Sequence, residues 1–325
     1  MIAYGPVPSR RLGRSLGVNN IPPKICTYSC VYCQVGRTMQ METEPRTFYE
    51  PRELTGEVCE KVKATQQAGE HIDYVSFVPD GEPTLDANLG EEIQAMEALG
   101  QPAAVISNAS LMWREDVRER LMKADWVSVK VDAVTPKLWR QINRPHRDLD
   151  INAILEGIHR FAGEFAGKLN TETMLVHEIN DSEENAEGVA DFLREVQPDT
   201  AYVSIPTRPP AEKWAHRPSE TAVNRFYQIV DSRVENVEYL IGYEGNAFAA
   251  SGNVEEDLLS ITAVHPMREE AVQKLLDRNE CNWSGVEKLR KQGKIKVTEH
   301  ENKRYFMRTL PRDHQEETEN NFFES

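Results

Sequence analysis

Three cysteines, Cys26, Cys30 and Cys33, fall within eight residues at the spacing C-x3-C-x2-C. Thiols packed this closely read first as metal ligands, yet three is an unusual number. Structural zinc and ordinary iron–sulfur sites take four protein ligands. A set of three either borrows a distant fourth residue, as a zinc knuckle would, or leaves one metal position open to a small molecule. An open position marks a catalytic metal rather than a structural one. No neighbouring His or Cys completes a tetrahedron, which favours the open site. Tyr32, directly before the third cysteine, sets a flat apolar group beside it. Cys59 and Cys281 are far away and form no pair.

The 325 residues carry a net charge of −15, with 39% hydrophobic and 28% charged residues, ordinary values for a globular protein with a sizeable core. The first seventeen residues lack an apolar h-region, so no secretory signal is expected. No stretch has the length of a membrane span, so no membrane association is expected. Cysteines clustered rather than paired point to a reducing compartment and a cytoplasmic protein. The charge is uneven. Residues 262–310 hold eleven Lys/Arg against seven Asp/Glu, a net of +4, and the remainder holds 27 against 46, a net of −19. That asymmetry predicts two parts with different partners.

Short β-type runs at 15–18, 73–78, 103–107, 126–131, 169–175, 201–205 and 237–243 alternate with helical patterns at 53–67, 89–99, 114–123, 151–165, 183–196 and 219–231. Leu54, Val58 and Val62 show the i, i+4, i+8 stripe of a helix lying on a sheet. Such alternation predicts an α/β fold with a parallel sheet, either open or closed into a barrel. The first part spans 1–250, and 251–261 reads as a linker. In 262–310 a short strand at 262–264 precedes a helix with Val272, Leu275 and Leu276. A second helix starts at Ser284 and ends at Gly293, and strands at 295–299 and 304–308 flank a polar turn. Helix, helix and β-hairpin in this order look like a winged helix. The polar, acidic stretch 311–325 reads as a disordered tail.

The cysteine spacing, with an aromatic before the third thiol, resembles the cluster loop of the radical S-adenosylmethionine (radical SAM) superfamily. The run Pro79-Asp80-Gly81-Glu82-Pro83 resembles that superfamily's Gly-Gly-Glu-Pro motif, with Asp80 in place of the first glycine; alone it would read as an Asp-Gly turn. Val7–Gly13, Cys26–Gly36, Val129–Ala133 and Arg208-Pro209-Pro210 look most like the iron–sulfur oxidoreductases grouped with tRNA wyosine-base synthases.

The resemblance implies a partial (β/α)6 TIM-like barrel with its chemistry at the C-terminal strand ends. It implies a [4Fe-4S] cluster on Cys26, Cys30 and Cys33, with S-adenosylmethionine on the fourth iron. Reductive cleavage to a 5′-deoxyadenosyl radical, followed by hydrogen abstraction from a substrate, is the implied reaction. An external one-electron donor of flavodoxin or ferredoxin type is the implied partner. Tyr32, Gly81, Glu82, Ser107, Asn108, Lys130, Asp132 and Pro206 are the expected cofactor contacts. Ser128, Lys130 and Asp132 share one face of a strand, and an inward Lys needs an anion, either the cofactor carboxylate or Asp132. Arg208, and the group Arg10, Arg11 and Arg14, are candidates for substrate anions.

The substrate is left open between RNA, as in tRNA modification, a peptide or protein, and a small metabolite. The basic face Lys288, Arg290, Lys291, Lys294 and Lys296 is placed to dock an RNA or an acidic peptide. A different class of function, an iron–sulfur sensor that binds DNA, would use the terminal module but give the strand-end residues no task. Anaerobically purified protein is expected to hold about four iron and four sulfide per chain. Ala at Cys26, Cys30 or Cys33 should abolish the cluster while Cys59→Ala and Cys281→Ala keep it. Full iron occupancy in Cys30→Ala counts against the assignment.

Overall fold

A computed structural model describes residues 2–241, 254–264, 266–300 and 303–309. The chain opens with a hairpin, β1 (Ala3–Ser9) and β2 (Gly13–Val18), followed by two short strands, β3 (Ile25–Cys26) and β4 (Gln40–Met41). Then come α1 (Pro51–Gln67), β5 (Tyr74–Phe77), α2 (Leu89–Ala98), β6 (Ala103–Ser107), α3 (Glu115–Leu121) and β7 (Trp126–Lys130). Two helices, α4 (Pro136–Asn143) and α5 (Ile151–Glu164), lead to β8 (Lys168–Met174), α6 (Glu183–Val196), β9 (Thr200–Ser204), α7 (Glu220–Asp231) and β10 (Val237–Leu240).

One sheet runs β1-β2-β5-β6-β7-β8-β9-β10, parallel throughout except for the antiparallel β1–β2 pair. It is the partial, TIM-like barrel of an α/β fold, with β1 and β10 as its two edges. The expected strands and helices lie within a residue or two of their predicted places. Among the elements not anticipated are β1, α4 and the two-residue strands β3 and β4. Strand β1 escapes because Pro6 and Pro8 interrupt its pattern, and α4 because the contacts that bury its apolar residues come from the distant cysteine loop. The predicted extension of β10 to residue 243 lies partly outside the described residues.

Strand alternation sorts the side chains onto two faces. On the outer face Val105, Val127, Val129 and Val203 pack against the helices in the main core. α1 adds Leu54, Val58 and Val62, and Asp150, Ser182 and Ser219 cap α5, α6 and α7 by accepting from backbone N–H groups. The inner face is polar, with Ser15, Ser76, Ser128, Glu172 and Ser204 buried inside the curve. Its narrow end is apolar. Leu12, at the tip of the β1–β2 hairpin, packs with Ala104, Trp126, Tyr202 and Leu240 and plugs the barrel from its N-terminal side.

The terminal unit holds α8 (Val254–Val264), β11 (Met267–Arg268), α9 (Glu269–Arg278), α10 (Ser284–Lys291), β12 (Ile295–His300) and β13 (Lys303–Arg308). Its small sheet runs β11-β13-β12 over a separate core that includes Leu258, Val272, Leu276, Leu289 and Phe306. The described part of the expected linker is helix α8, and the strand expected at 262–264 is its last turn. Leu258 and Ile261 give that segment an apolar face which a helix buries and a linker would expose. Val7 of β1 packs on this core, and the Tyr305 hydroxyl donates to the Thr207 carbonyl at 3.0 Å. The stretch read as an acidic tail lies outside the described residues. No described helix is long and apolar enough to cross a membrane.

Leu12 is nearly solvent-free. Leu12→Ala should therefore lower unfolding free energy in urea by about 2–5 kcal/mol, since a plugged barrel end cannot collapse around the void. A loss of only a few tenths would show that the hairpin tip is dispensable.

Candidate active site

The three cysteines sit on the long segment between β2 and α1, which is pinned on either side of Cys26. Near its start β3 runs beside the end of β5, with Ile25 bridged to Gly81 and the Glu82 N–H donating to the Ile25 carbonyl at 3.2 Å. A Cβ on residue 81 would lie 2.0 Å from that carbonyl, so only glycine permits the approach. Farther along, Ser29 and Val31 N–H groups donate to carbonyls of Asn143 and Ile142 at the end of α4. Tyr28 packs edge-on against Trp139 of the same helix and accepts its indole N–H at 3.1 Å.

All three thiols face one cavity of about 340 Å³ at the C-terminal ends of the strands. Asn108 and Asn143 amides each approach a sulfur at 3.4 Å, on Cys26 and Cys30 respectively. Burial pushes all three thiols above their ordinary range, Cys30 to about 12 with the Asp132 charge adding to the effect. Metal binding here must displace protons, and the positive metal provides the compensating charge. Among the described residues no three His, Cys, Asp or Glu converge on a single ion. Three thiols around one cavity, with amide donors aimed at sulfur, fit a polynuclear iron–sulfur group instead.

Of the expected cofactor contacts, Tyr32, Gly81, Glu82, Ser107, Asn108, Lys130 and Pro206 line the same cavity. Three take on roles that the sequence did not suggest. Glu82 is fully engaged within the protein, accepting from Thr84 N (3.1 Å), Thr84 Oγ1 (2.6 Å), Ser107 Oγ (2.7 Å) and Asn108 N (2.7 Å). Asp132 lies off the cavity wall. It accepts from the Tyr32 hydroxyl, from Asn143 Nδ2 (2.7 Å) and from the Met174 N–H (2.8 Å), and so holds the aromatic of the cysteine loop against β7 and β8.

Lys130 does not pair with Asp132. Its Nζ meets Glu172 Oε1 at 2.5 Å and lies 5.3 Å from the Tyr32 ring centre. Glu172, which the sequence reading missed, also accepts from Arg11 (2.6 Å) and Ser204 (2.9 Å). Burial alone would raise its pKa, but Lys130 and Arg11 outweigh burial and hold it at about 2. The signal was present in Asn170, Glu172 and Met174, which alternate inward on β8 as Ser128 and Lys130 do on β7. Of the arginine group, Arg11 is half-buried and paired with Glu172 while Arg14 turns outward to Glu70. Arg208 lines the cavity and donates to Gln34 at 2.6 Å.

The family model described as "Radical SAM superfamily" matches residues 20–217. The chain is 45% identical over 311 residues to UPF0026 protein MJ1312 of Methanocaldococcus jannaschii, covering 95% of this chain and 96% of that one. It is 25% identical over 231 residues to the probable dual-specificity RNA methyltransferase RlmN of a Synechocystis species, covering 68% of this chain and 62% of that protein. A solved structure of TYW1 with a lysine-pyruvate adduct bound superposes with a TM-score of 0.52 at 16% identity, over 68% of this chain and 74% of that one. The chain belongs to the radical SAM superfamily. It is an enzyme of that class, whose cofactors are a [4Fe-4S] cluster and S-adenosylmethionine.

Glu172→Gln would leave the half-buried Lys130 and Arg11 without their anion and should cost about 2–4 kcal/mol at neutral pH. A carboxylate held at about 2 contributes stability above its ordinary 4.5 and loses it as pH falls toward 2. The stability gap between wild type and variant should therefore narrow across that window in urea titrations. A gap that stays constant from pH 5 to pH 2.5 would show that Glu172 carries no linked charge.

Proposed function

We propose that this protein is a radical SAM enzyme that modifies RNA, holding the cluster through Cys26, Cys30 and Cys33. The observation that carries the enzymatic part is the single cavity shared by the three thiols and the strand-end residues Gly81, Asn108 and Lys130. A sensor would need the thiols but not the chamber of strand-end residues beside them. When bound, the cluster and S-adenosylmethionine supply reductive cleavage and hydrogen abstraction.

This chain's residues do the rest. Tyr32 and Asp132 fix the cysteine loop, Glu82 fixes the end of β5 against β6, and the Leu12 plug keeps water from entering at the narrow end. Gly81, Asn108, Lys130 and Pro206 form the walls against which the cofactor is oriented. A small one-electron protein, of flavodoxin or ferredoxin type, serves as reductant in the cytoplasm.

The RNA part is supported by the relative named as an RNA methyltransferase and by the terminal unit, which we read as a winged helix. In that unit Lys288 is paired with Glu255 and Arg290 with Glu287, which narrows the basic face to the exposed Lys291, Lys294 and Lys296. These three lysines contact phosphates.

Reduced protein should convert S-adenosylmethionine slowly to 5′-deoxyadenosine and methionine without added substrate, as read by chromatography. Changing Lys291, Lys294 and Lys296 together to Glu should leave that background rate intact. The same change should weaken tRNA binding more than tenfold and flatten its salt dependence by roughly three phosphate contacts. Comparison of modified nucleosides in cells with and without the protein then identifies the base. Unchanged RNA affinity in the triple variant would exclude this face as the docking site.

A further inference from the structure

The cysteine loop has a second face, turned away from the cavity. The segment between β9 and α7 lies across it: the Glu212 N–H donates to the Val31 carbonyl at 3.0 Å, and Ala215 packs in one cluster with Val31 and Ile142. The Glu212 carboxylate accepts from Arg37 through Nε (3.0 Å) and Nη2 (3.1 Å) and from Arg144 at 2.6 Å. One carboxylate, itself buried, thus gathers two arginines over the loop, and the Arg37 side chain stays 71% exposed. Arg140, one turn before the Arg144 that ends α4, and Lys213, next to Glu212, are exposed and add two more cations. Arg147 nearby is offset by Asp148. Four cations around a single anion form a basic patch in a chain whose net charge is −15.

The patch also carries an exposed aromatic. Trp214 is 48% exposed, and the Arg144 guanidinium lies 5.8 Å from its ring centre. Tryptophan and arginine among charged neighbours are the residues that dominate protein interfaces. None of Arg37, Arg140, Arg144, Lys213 and Trp214 lines the cavity, although Gly36 and Thr38, on either side of Arg37, do. The loop therefore separates these side chains from the chamber, and a substrate held on them would not reach it. The cysteines, in contrast, are close. From Glu212 the way to Cys30 is one hydrogen bond and the backbone of Val31, a residue with no solvent exposure.

We propose that this outer face of the cysteine loop docks the one-electron carrier, a small acidic protein whose carboxylates meet Arg37, Arg140, Arg144 and Lys213 around a central contact on Trp214. Charge complementarity of this kind speeds encounter more than it deepens binding, and small electron-transfer interfaces are weak. Both suit a carrier that must leave after one transfer. The carrier gives up one electron to the cluster held by the cysteines, and no bond forms or breaks. The inference rests on the radical SAM reading and deepens it by naming the surface that its reductant uses.

The test measures binding of a purified flavodoxin and a purified ferredoxin to anaerobically reconstituted full-length protein at low and at high salt. The double variant Arg140→Glu with Lys213→Glu changes two exposed side chains that hold neither cysteine nor cavity. It should weaken binding of the carrier at least about tenfold at low salt, and the difference should shrink at high salt. Cleavage of S-adenosylmethionine driven by the reduced carrier should slow by a similar factor. Iron content, and cleavage driven by dithionite, should match wild type. The proposal is overturned if wild type binds neither carrier, if the variant binds them as wild type does, or if the variant loses its iron. It is equally overturned if tRNA affinity falls tenfold in the same variant, which would make the face an RNA surface. Failure of the wild-type protein to cleave S-adenosylmethionine with dithionite would overturn the radical SAM reading itself, while carrier binding is still read on its own.

Discussion

A buried carboxylate cannot sit inside a barrel unless something meets its charge, and Glu172 organises the interior on that condition. It gathers Lys130 from β7, Ser204 from β9 and Arg11 from the β1–β2 hairpin around one point on β8. The arginine is braced in turn between Trp126 and Tyr202, at 6.0 and 5.9 Å from their ring centres. Removing the anion would strand two cations in a low-dielectric space, so strand spacing, hairpin position and cavity depth are tied together. The hairpin tip thus does two jobs. Leu12 fills the narrow end, while Arg11 reaches past it to close the charge network at the cavity floor.

Two other carboxylates act as struts for the cysteine loop. Glu82 accepts from both Ser107 and the Asn108 N–H, and Asn108 passes that position on to Thr27 at 2.8 Å and to Cys26. Asp132 does the same for the other arm through Tyr32 and Asn143, and Asn143 also reaches Cys30. Each cysteine arm is therefore one side chain away from a buried carboxylate locked to the sheet. A metal group that must keep one coordination site open needs its remaining ligands held in place, and these connections supply that rigidity.

How much of this was legible follows from the range of each interaction. The cysteine spacing and the strand–helix alternation are local patterns, and they located the loop and the sheet to within a residue or two. The inward face of β7 was readable from the two-residue period at Ser128 and Lys130. The partner of Lys130 was not. Asp132 shares its strand in sequence, but a chain that continues past the strand end carries Asp132 toward α4, while Glu172 arrives from the neighbouring parallel strand 42 residues away. Register between parallel strands is set by packing of the intervening helices, and no local pattern announces it. Helix α4 was missed for a related reason. Its eight residues bury Trp139 and Ile142 against the cysteine loop, a contact visible only once the loop is in place.

An open barrel has two edges, and an exposed edge strand invites pairing with other chains. Here the β1 edge is protected by the terminal unit, since Val7 packs into its core, and Tyr305 reaches across to the carbonyl of Thr207 beyond the end of β9. Thr207 lies between Pro206 and Arg208, all three on the cavity wall. The terminal unit is therefore joined at one point to the β1 edge and at another to the segment that borders the active site. Through Thr207 it is in contact with the segment that carries Pro206 and Arg208. That link is one hydroxyl and one carbonyl long, and it ties the terminal unit to the cavity rim without passing through the sheet.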